Sequence, residues 1–336
     1  MTRSVRVAIN GLGRIGRTLL RQVMTGVGAD RIEVVHVNDV APLETCAYLF
    51  QFDSVFGPYP GEVAASSDAL TIDGQRVPFT SLPDISNLDL SGVDILLECT
   101  GRAQTREFAE RGLRAGAGAV LISGPSQVAD ITLVMGANEA LLKEERIVSN
   151  ASCTTNALAP LMRSLHALLG VERAHMTTIH CYTGSQPMVD APRTDLARSR
   201  AGALSMVPTT TSATKLIDQI LPDLAGRISG AAVRVPTASV SAVDLTIQVM
   251  RDVPSDVTGA LARMAEASPV IGVTSHPNVS TDMRGRSESV VLTLPETLVL
   301  GSRQVRIFGW YDNEWGFSAR MLDMARLMND RLFQTV

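Results

Sequence analysis

Val5-Arg6-Val7-Ala8-Ile9-Asn10-Gly11-Leu12-Gly13-Arg14-Ile15-Gly16-Arg17 is the stretch on which the fold turns. Val5 to Ile9 alternates as a strand, and from Ile15 to Met24 apolar residues recur at helical spacing, so a G-x-G-x-x-G stands between strand and helix. In that context each glycine has a physical task. Gly11 permits the tight turn, Gly13 lets backbone approach a pyrophosphate, and Gly16 lets helix pack close on strand. The N–H groups of the helix start, with Arg14 and Ile15 beside the turn, then face the anion; Arg14 either leans on it or is solvated. Asp39 ends the second strand at the spacing where a carboxylate accepts from ribose hydroxyls and repels a 2′-phosphate, which favours NAD over NADP.

Outward from this turn, strands are expected at Ile32 to Val37, Ile95 to Cys99, Val120 to Ile122 and Ile147 to Val148, alternating with helical segments such as Arg106 to Leu113. That alternation predicts a doubly wound α/β domain over about the first 150 residues. Beyond Ser149 the pattern changes: one helix, Thr154 to Leu169, stopped by Gly170, is followed by Thr- and Val-rich runs at Val233 to Val249 and Ser289 to Leu300. These predict an α+β part on a mixed or antiparallel sheet. Phe317, Met321, Met324, Met328 and Leu332 share one face of a closing amphipathic helix and read as core.

The 336 residues are 45% hydrophobic, enough for two domains, and the net charge of -4 with scattered basic residues leaves no footprint for nucleic acid. No basic leader with a long apolar run opens the chain and no later run has the length to span a bilayer, so a cytoplasmic protein without membrane contact is expected. Cys46, Cys99, Cys153 and Cys181 are widely spaced, which points to neither a disulfide framework nor a metal site.

Ser149-Asn150-Ala151-Ser152-Cys153-Thr154-Thr155-Asn156 runs from a strand into a helix. Cys153 then sits in the first turn with Ser152 as N-cap, where N–H groups and the positive end of the dipole favour a thiolate. The same residues equally suit a buried, inert cysteine, and a base is needed to decide. His36 falls in a strand, His166 in a helix, His175 at a strand start and His276 in a loop; His180 closes Met176 to Ile179 and opens onto the polar loop Tyr182 to Gln186, as suits an imidazole facing a site. Arg234, between Val233 and Val235, needs a partner if it is buried. Arg198 and Arg200 lie in a polar loop, where solvation is the plain alternative.

Taken together, Val7 to Arg17, Ser149 to Asn156, His180 with Tyr182-Thr183, Arg234-Val235-Pro236-Thr237 and Trp310 to Gly316 resemble the glyceraldehyde-3-phosphate dehydrogenase family, over essentially the whole chain. The resemblance implies a Rossmann NAD-binding domain, 1–152, completed by a C-terminal helix, 318–336, a catalytic domain, 153–317, and a homotetramer. It implies Cys153 as nucleophile, His180 as its base, Asn313 as the group that orients the nicotinamide carboxamide, and Ser123 near the cofactor. Thr183, Arg198, Thr211, Ser212 and Arg234 take the place of anion ligands, with Ser152 and Thr154 on the inorganic phosphate side. A phosphorylated aldehyde and inorganic phosphate are then the partners, and glyceraldehyde 3-phosphate becomes 1,3-bisphosphoglycerate through a Cys153 thioester.

Ser185, Ser212 and Ala157 depart from the commonest family sequence, where an acidic residue, a glycine and a second cysteine stand. Erythrose-4-phosphate dehydrogenase, which hydrolyses its thioester, is the nearest alternative. Tyr182-Thr183-Gly184 and Pro208 to Thr211 look like the phosphorylating form. Trp310 to Gly316 argues against aspartate-semialdehyde dehydrogenase, and intact Cys153, His180 and Arg234 argue against an idle binding protein.

Overall fold

A computed structural model describes residues 3–333. Its chain divides into two compact units: 3–133, 139–151 and 318–333 form one, 134–138 and 152–317 the other. In the first unit the elements are β1 (Val5–Asn10), α1 (Arg14–Thr25), β2 (Ile32–Asn38), α2 (Leu43–Gln51), β3 (Val63–Ser66), β4 (Ala69–Ile72), β5 (Gln75–Thr80), β6 (Ile95–Glu98), α3 (Arg106–Ala109), α4 (Arg111–Arg114), β7 (Ala119–Ile122), β8 (Ile131–Thr132) and β9 (Ile147–Ser149). They build a sheet ordered β3-β4-β5-β2-β1-β6-β7-β9-β8. From β5 to β8 every pair is parallel. The chain winds outward from β1 to β2, then crosses to β6 on the other side, so the strand order reverses between β1 and β6 and leaves a crevice at their carboxyl ends. Fully buried β6, β7 and β9 are apolar except for Glu98 and Ser149 at their carboxyl ends, as strands covered on both faces tend to be.

The expected helix Arg106 to Leu113 is two single turns broken at Glu110, which has ψ −7. Gly112 explains the break: a Cβ there would lie 2.4 Å from Leu96 Cδ2, so the segment dips onto the sheet. In the closing helix, Met321, Met324 and Met328 are buried as the stripe predicts. Arg31 pairs with Asp330 at 2.8 Å and Arg326 donates to Gly28 O, which holds this helix within the first unit. The final residues of the expected 318–336, 334–336, lie outside the described residues.

The second unit contains α5 (Cys153–Leu169), β10 (Val171–Cys181), β11 (Val207–Thr209), α6 (Ala213–Ile220), β12 (Ile228–Val235), β13 (Ser241–Val249), α7 (Val257–Glu266), β14 (Ile271–Thr274), β15 (Val290–Thr293), β16 (Leu298–Leu300) and β17 (Gln304–Tyr311), and α8 (Trp315–Leu332) leaves it. Its sheet runs β11-β12-β10-β13-β17-β15-β14 with β16 beside β17, and is mixed: β10 is parallel to β12 and antiparallel to β13. The single run read from Val233 to Val249 is two strands, because Pro236 lacks a donor for the ladder and Val240 turns at φ +66. Along β10, Met176, Thr178 and His180 alternate onto the buried side, which delivers His180 to the core-facing end of the strand.

Candidate active site

In the first unit the crevice at the strand reversal is lined by Asn10, Gly11, Gly13, Asn38, Asp39 and Thr100. Gly11 has φ +95, and a Cβ there would come 2.8 Å from Thr100 N; at Gly16 it would lie 2.0 Å from Gly11 O. Beside Gly13 nothing lies within 4 Å. Helix α1 starts there with no side-chain cap and no acidic residue in its first turn, so its N-terminal donors and open glycine face fit a diphosphate. Asp39 lines the same crevice, and its carboxylate also accepts from Leu12 N at 2.6 Å and Ala41 N at 2.8 Å, pinning the glycine turn. The Arg14 guanidinium pairs with Asp53 and lies 5.6 Å from the Phe56 ring centroid, with its side chain 33% exposed. Ile15 follows it in the first turn of α1. Ser123 follows β7 and its N–H donates to Glu98 O at 3.0 Å.

In the second unit Cys153 is the first residue of α5, and Ser152 caps the helix by accepting from Thr155 N at 3.1 Å. Ala151, just before them, has φ +54, a left-handed backbone for a residue with a Cβ. The Cys153 sulfur lies 3.5 Å from His180 Nε2. Parallel register between β10 and β12 places His180 opposite Arg234, whose NH1 lies 2.7 Å from His180 Nδ1 and donates to Cys181 O at 2.9 Å. The same carbonyl lies 2.7 Å from Nδ1. Arg234 thus finds partners, though a carbonyl and an imidazole in place of a carboxylate.

Burial and charge oppose one another at this helix start. Burial pushes the Cys153 thiol up; Arg234 and the first-turn N–H groups pull it down but do not overcome burial. Burial first, and Arg234 second, lower His180 to about 4. At the thiol the direction set by burial prevails, and the cation in contact with His180 is Arg234.

Thr154 is joined to this cluster: its Oγ1 lies 2.9 Å from Tyr311 OH, which also bonds Thr178 at 2.9 Å and stands edge-on to His180. The other anion candidates bond to near neighbours. Thr183 pairs with Ser185 at 2.8 Å, Arg198 donates to Thr209 Oγ1 at 2.7 Å, and Thr211 Oγ1 accepts from Ala213 N at the start of α6, which Ser212 precedes. Asn313 follows β17; its Oδ1 accepts from the Cys181 thiol at 3.1 Å.

Two residues of the cluster carried no signal in the sequence. Cys181, whose carbonyl takes contacts from both His180 and Arg234, has nothing in its neighbours to single it out. Tyr311 lay inside a quoted stretch, but a hydroxyl bridge between Thr154 and Thr178 requires the packing of α5 against the sheet.

Residues 5–106 match the NAD binding domain of glyceraldehyde 3-phosphate dehydrogenase, and residues 152–313 its C-terminal domain. The glyceraldehyde-3-phosphate dehydrogenase of Pseudomonas aeruginosa is 47% identical over 326 residues, 96% of this chain and 97% of that one. That of Cereibacter sphaeroides is 45% identical, covering 97% and 98%, and that of Geobacillus stearothermophilus 41%, covering 96% and 97%. The cofactor is NAD, in keeping with the open glycine turn and Asp39. With both domains matched in order and near full-length identity above 40%, this chain belongs to the glyceraldehyde-3-phosphate dehydrogenase family.

Proposed function

We propose that the protein oxidises glyceraldehyde 3-phosphate, with NAD and inorganic phosphate, to 1,3-bisphosphoglycerate through a thioester on Cys153. The observation that carries this reading is the Cys153 sulfur 3.5 Å from His180 Nε2 at a capped helix start. With its proton on Nδ1, donated to Cys181 O, the imidazole presents a bare Nε2 to the thiol. His180 takes the thiol proton as sulfur adds to the aldehyde carbon, and the new oxyanion, held by the Cys153 N–H, receives that proton from Nε2 to give the hemithioacetal. His180 then removes the hydroxyl proton of the hemithioacetal. Bound NAD supplies the hydride acceptor, and the carbon is left as a thioester. Inorganic phosphate attacks that carbonyl, an acyl phosphate forms, and the Cys153 sulfur departs.

Arg234 can only donate, so its contact with Nδ1 competes with the His180–Cys181 bond. An anion that draws Arg234 leaves the imidazole in the tautomer the reaction needs. Ser152, Thr154, Thr183, Arg198, Thr211 and Ser212 supply the remaining donors for the two phosphates, and Arg14, Ile15, Ser123 and Asn313 join Gly11, Gly13, Gly16 and Asp39 at the cofactor. Residues 1–152 with 318–336 are the NAD-binding domain in this reading and 153–317 the catalytic domain; the two compact units follow this division except that 134–138 and Ser152 fall in the second. A cytoplasmic homotetramer belongs to the same reading; Met188, Leu196, Leu204 and Met206, each more than 70% exposed on one loop region, suit burial against other copies. NADH release from glyceraldehyde 3-phosphate with and without phosphate, run beside erythrose 4-phosphate, tests the reading.

A further inference from the structure

Beneath the nucleotide crevice a line of buried and half-buried polar side chains crosses four neighbouring strands. His36 Nε2 lies 2.9 Å from Thr80 Oγ1, and Thr80 donates to Asn38 Oδ1 at 2.8 Å. Asn38 Nδ2 donates to Asn10 Oδ1 at 2.9 Å, and Asn10 Nδ2 donates to Glu98 Oε2 at 2.6 Å. Glu98 Oε1 accepts from Thr100 N at 2.9 Å and from the Thr100 hydroxyl. Asn10, Asn38 and Glu98 are all at least 96% buried.

The three bonds from Thr80 to Glu98 all point toward the carboxylate, the Thr100 donors meet it from the far side, and main chain forces these directions. Asn38 Oδ1 also accepts from Leu82 N at 2.9 Å, while Asn38 Nδ2 also donates to Leu82 O at 2.9 Å. A backbone N–H cannot become an acceptor, so the Asn38 amide has one allowed orientation. Its Nδ2 therefore faces Asn10, which must answer with Oδ1 and turn Nδ2 toward Glu98. At the far end Thr100 N is again an obligatory donor. Glu98 stands between donors on both sides and must accept from both. A carboxylate does so, and a glutamine of the same shape cannot.

We propose that Glu98 is a positioning residue for the cofactor: as the terminal acceptor of this relay it fixes Asn10, Asn38 and the Thr100 turn, which line the NAD crevice. Burial raises Glu98, while its hydrogen bonds and Arg111 oppose that rise. This explains the presence of a carboxylate beneath a site for a diphosphate, where its charge alone is unfavourable. The inference rests on the crevice being the NAD site.

The relay makes a reversible prediction. Glu98→Gln sets an amide N–H₂ against Asn10 Nδ2, and Asn10→Asp sets two carboxylates side by side. In the double variant Asn10→Asp/Glu98→Gln the acceptor and donor have changed places: the carboxylate now at position 10 accepts from Asn38 and from the amide now at position 98, whose oxygen still takes Thr100 N. NAD affinity is measured by calorimetry on protein without substrate, together with the melting temperature of the cofactor-free protein and the rate of Cys153 alkylation by iodoacetamide. Each single variant is expected to bind NAD at least about tenfold more weakly, with a lowered melting temperature. The double variant is expected to recover to within about threefold, and alkylation in the folded variants to stay within about twofold. Glu98→Gln binding NAD as the unaltered protein does, or a double variant no better than the worse single, overturns the proposal. If a single variant fails to fold, the double decides alone: folding with NAD bound supports the relay, and failure to fold overturns it. Absence of NAD binding by the unaltered protein is a different result, which removes the cofactor site itself.

Discussion

Replacing Arg234 with glutamine keeps a donor for Cys181 O and removes the charge beside the Cys153–His180 pair. The depression of His180 from 6.5 to about 4 corresponds to about 3.4 kcal/mol at about 1.36 kcal/mol per factor of ten. Burial is the larger cause and Arg234 the second, so the variant returns only part of it, on the order of 1 kcal/mol, and His180 rises while staying below 6.5. Cys153 loses the charge that most opposes burial, so its thiol rises as well, and the pH at which alkylation accelerates moves upward. The signs are the same for both groups because a cation disfavours any bound proton nearby. Turnover should suffer more than alkylation, since a charge-assisted contact to substrate phosphate is worth about 1.5–3 kcal/mol, or roughly 10- to 150-fold in kcat/KM. The assays are iodoacetamide alkylation from pH 5 to 10 (a range on the order of five decades of proton activity), NMR titration of His180, and steady-state kinetics. Unchanged alkylation and His180 titration curves would refute the assignment of Arg234 as the cation that governs the pair.

Two further outcomes follow from the same geometry. Cys153→Ser should bind NAD with unaltered affinity by calorimetry and release no NADH above background, because an alcohol beside a neutral imidazole is a far weaker nucleophile than a thiolate; sustained turnover would remove the thioester. Asp39→Ala should lower kcat/KM with NAD by about 10- to 150-fold, through lost ribose contacts and the released Leu12 N–H, and so narrow the preference over NADP; comparable efficiency of the unaltered protein with both cofactors would contradict the role given to Asp39.

The cofactor half was the more legible part of the sequence, because its information is local. Gly11, Gly13 and Gly16 state a turn, a close approach and a packing contact within one helical turn, and Asp39 follows at the end of the next strand. Cys153 with its Ser152 cap was legible for the same reason. Long-range facts were not: the pairing of His180 with Arg234 depends on the parallel register of two strands separated by more than 40 residues, and Tyr311 reaches Thr154 only through packing of α5 on the sheet. Electrostatics was legible only in part. A helix N-terminus read in isolation favours a thiolate, but enclosure of the sulfur and imidazole weighs more than the dipole, and enclosure is a property of the whole unit. The break at Glu110 depended on how closely Gly112 meets Leu96, and the end of β12 on Pro236; the first contact has no sequence signal, whereas the proline was there to be read.

A rapid-mixing trace of NADH release tests the central claim most directly: saturating NAD and glyceraldehyde 3-phosphate, with and without inorganic phosphate. Without phosphate, the Cys153 thioester predicts a burst of about one NADH per active site followed by a rate at least about a hundredfold slower, since nothing but water is left to attack. With phosphate, release continues at the full rate. Equal steady rates in both conditions would contradict the account and assign the thioester to hydrolysis.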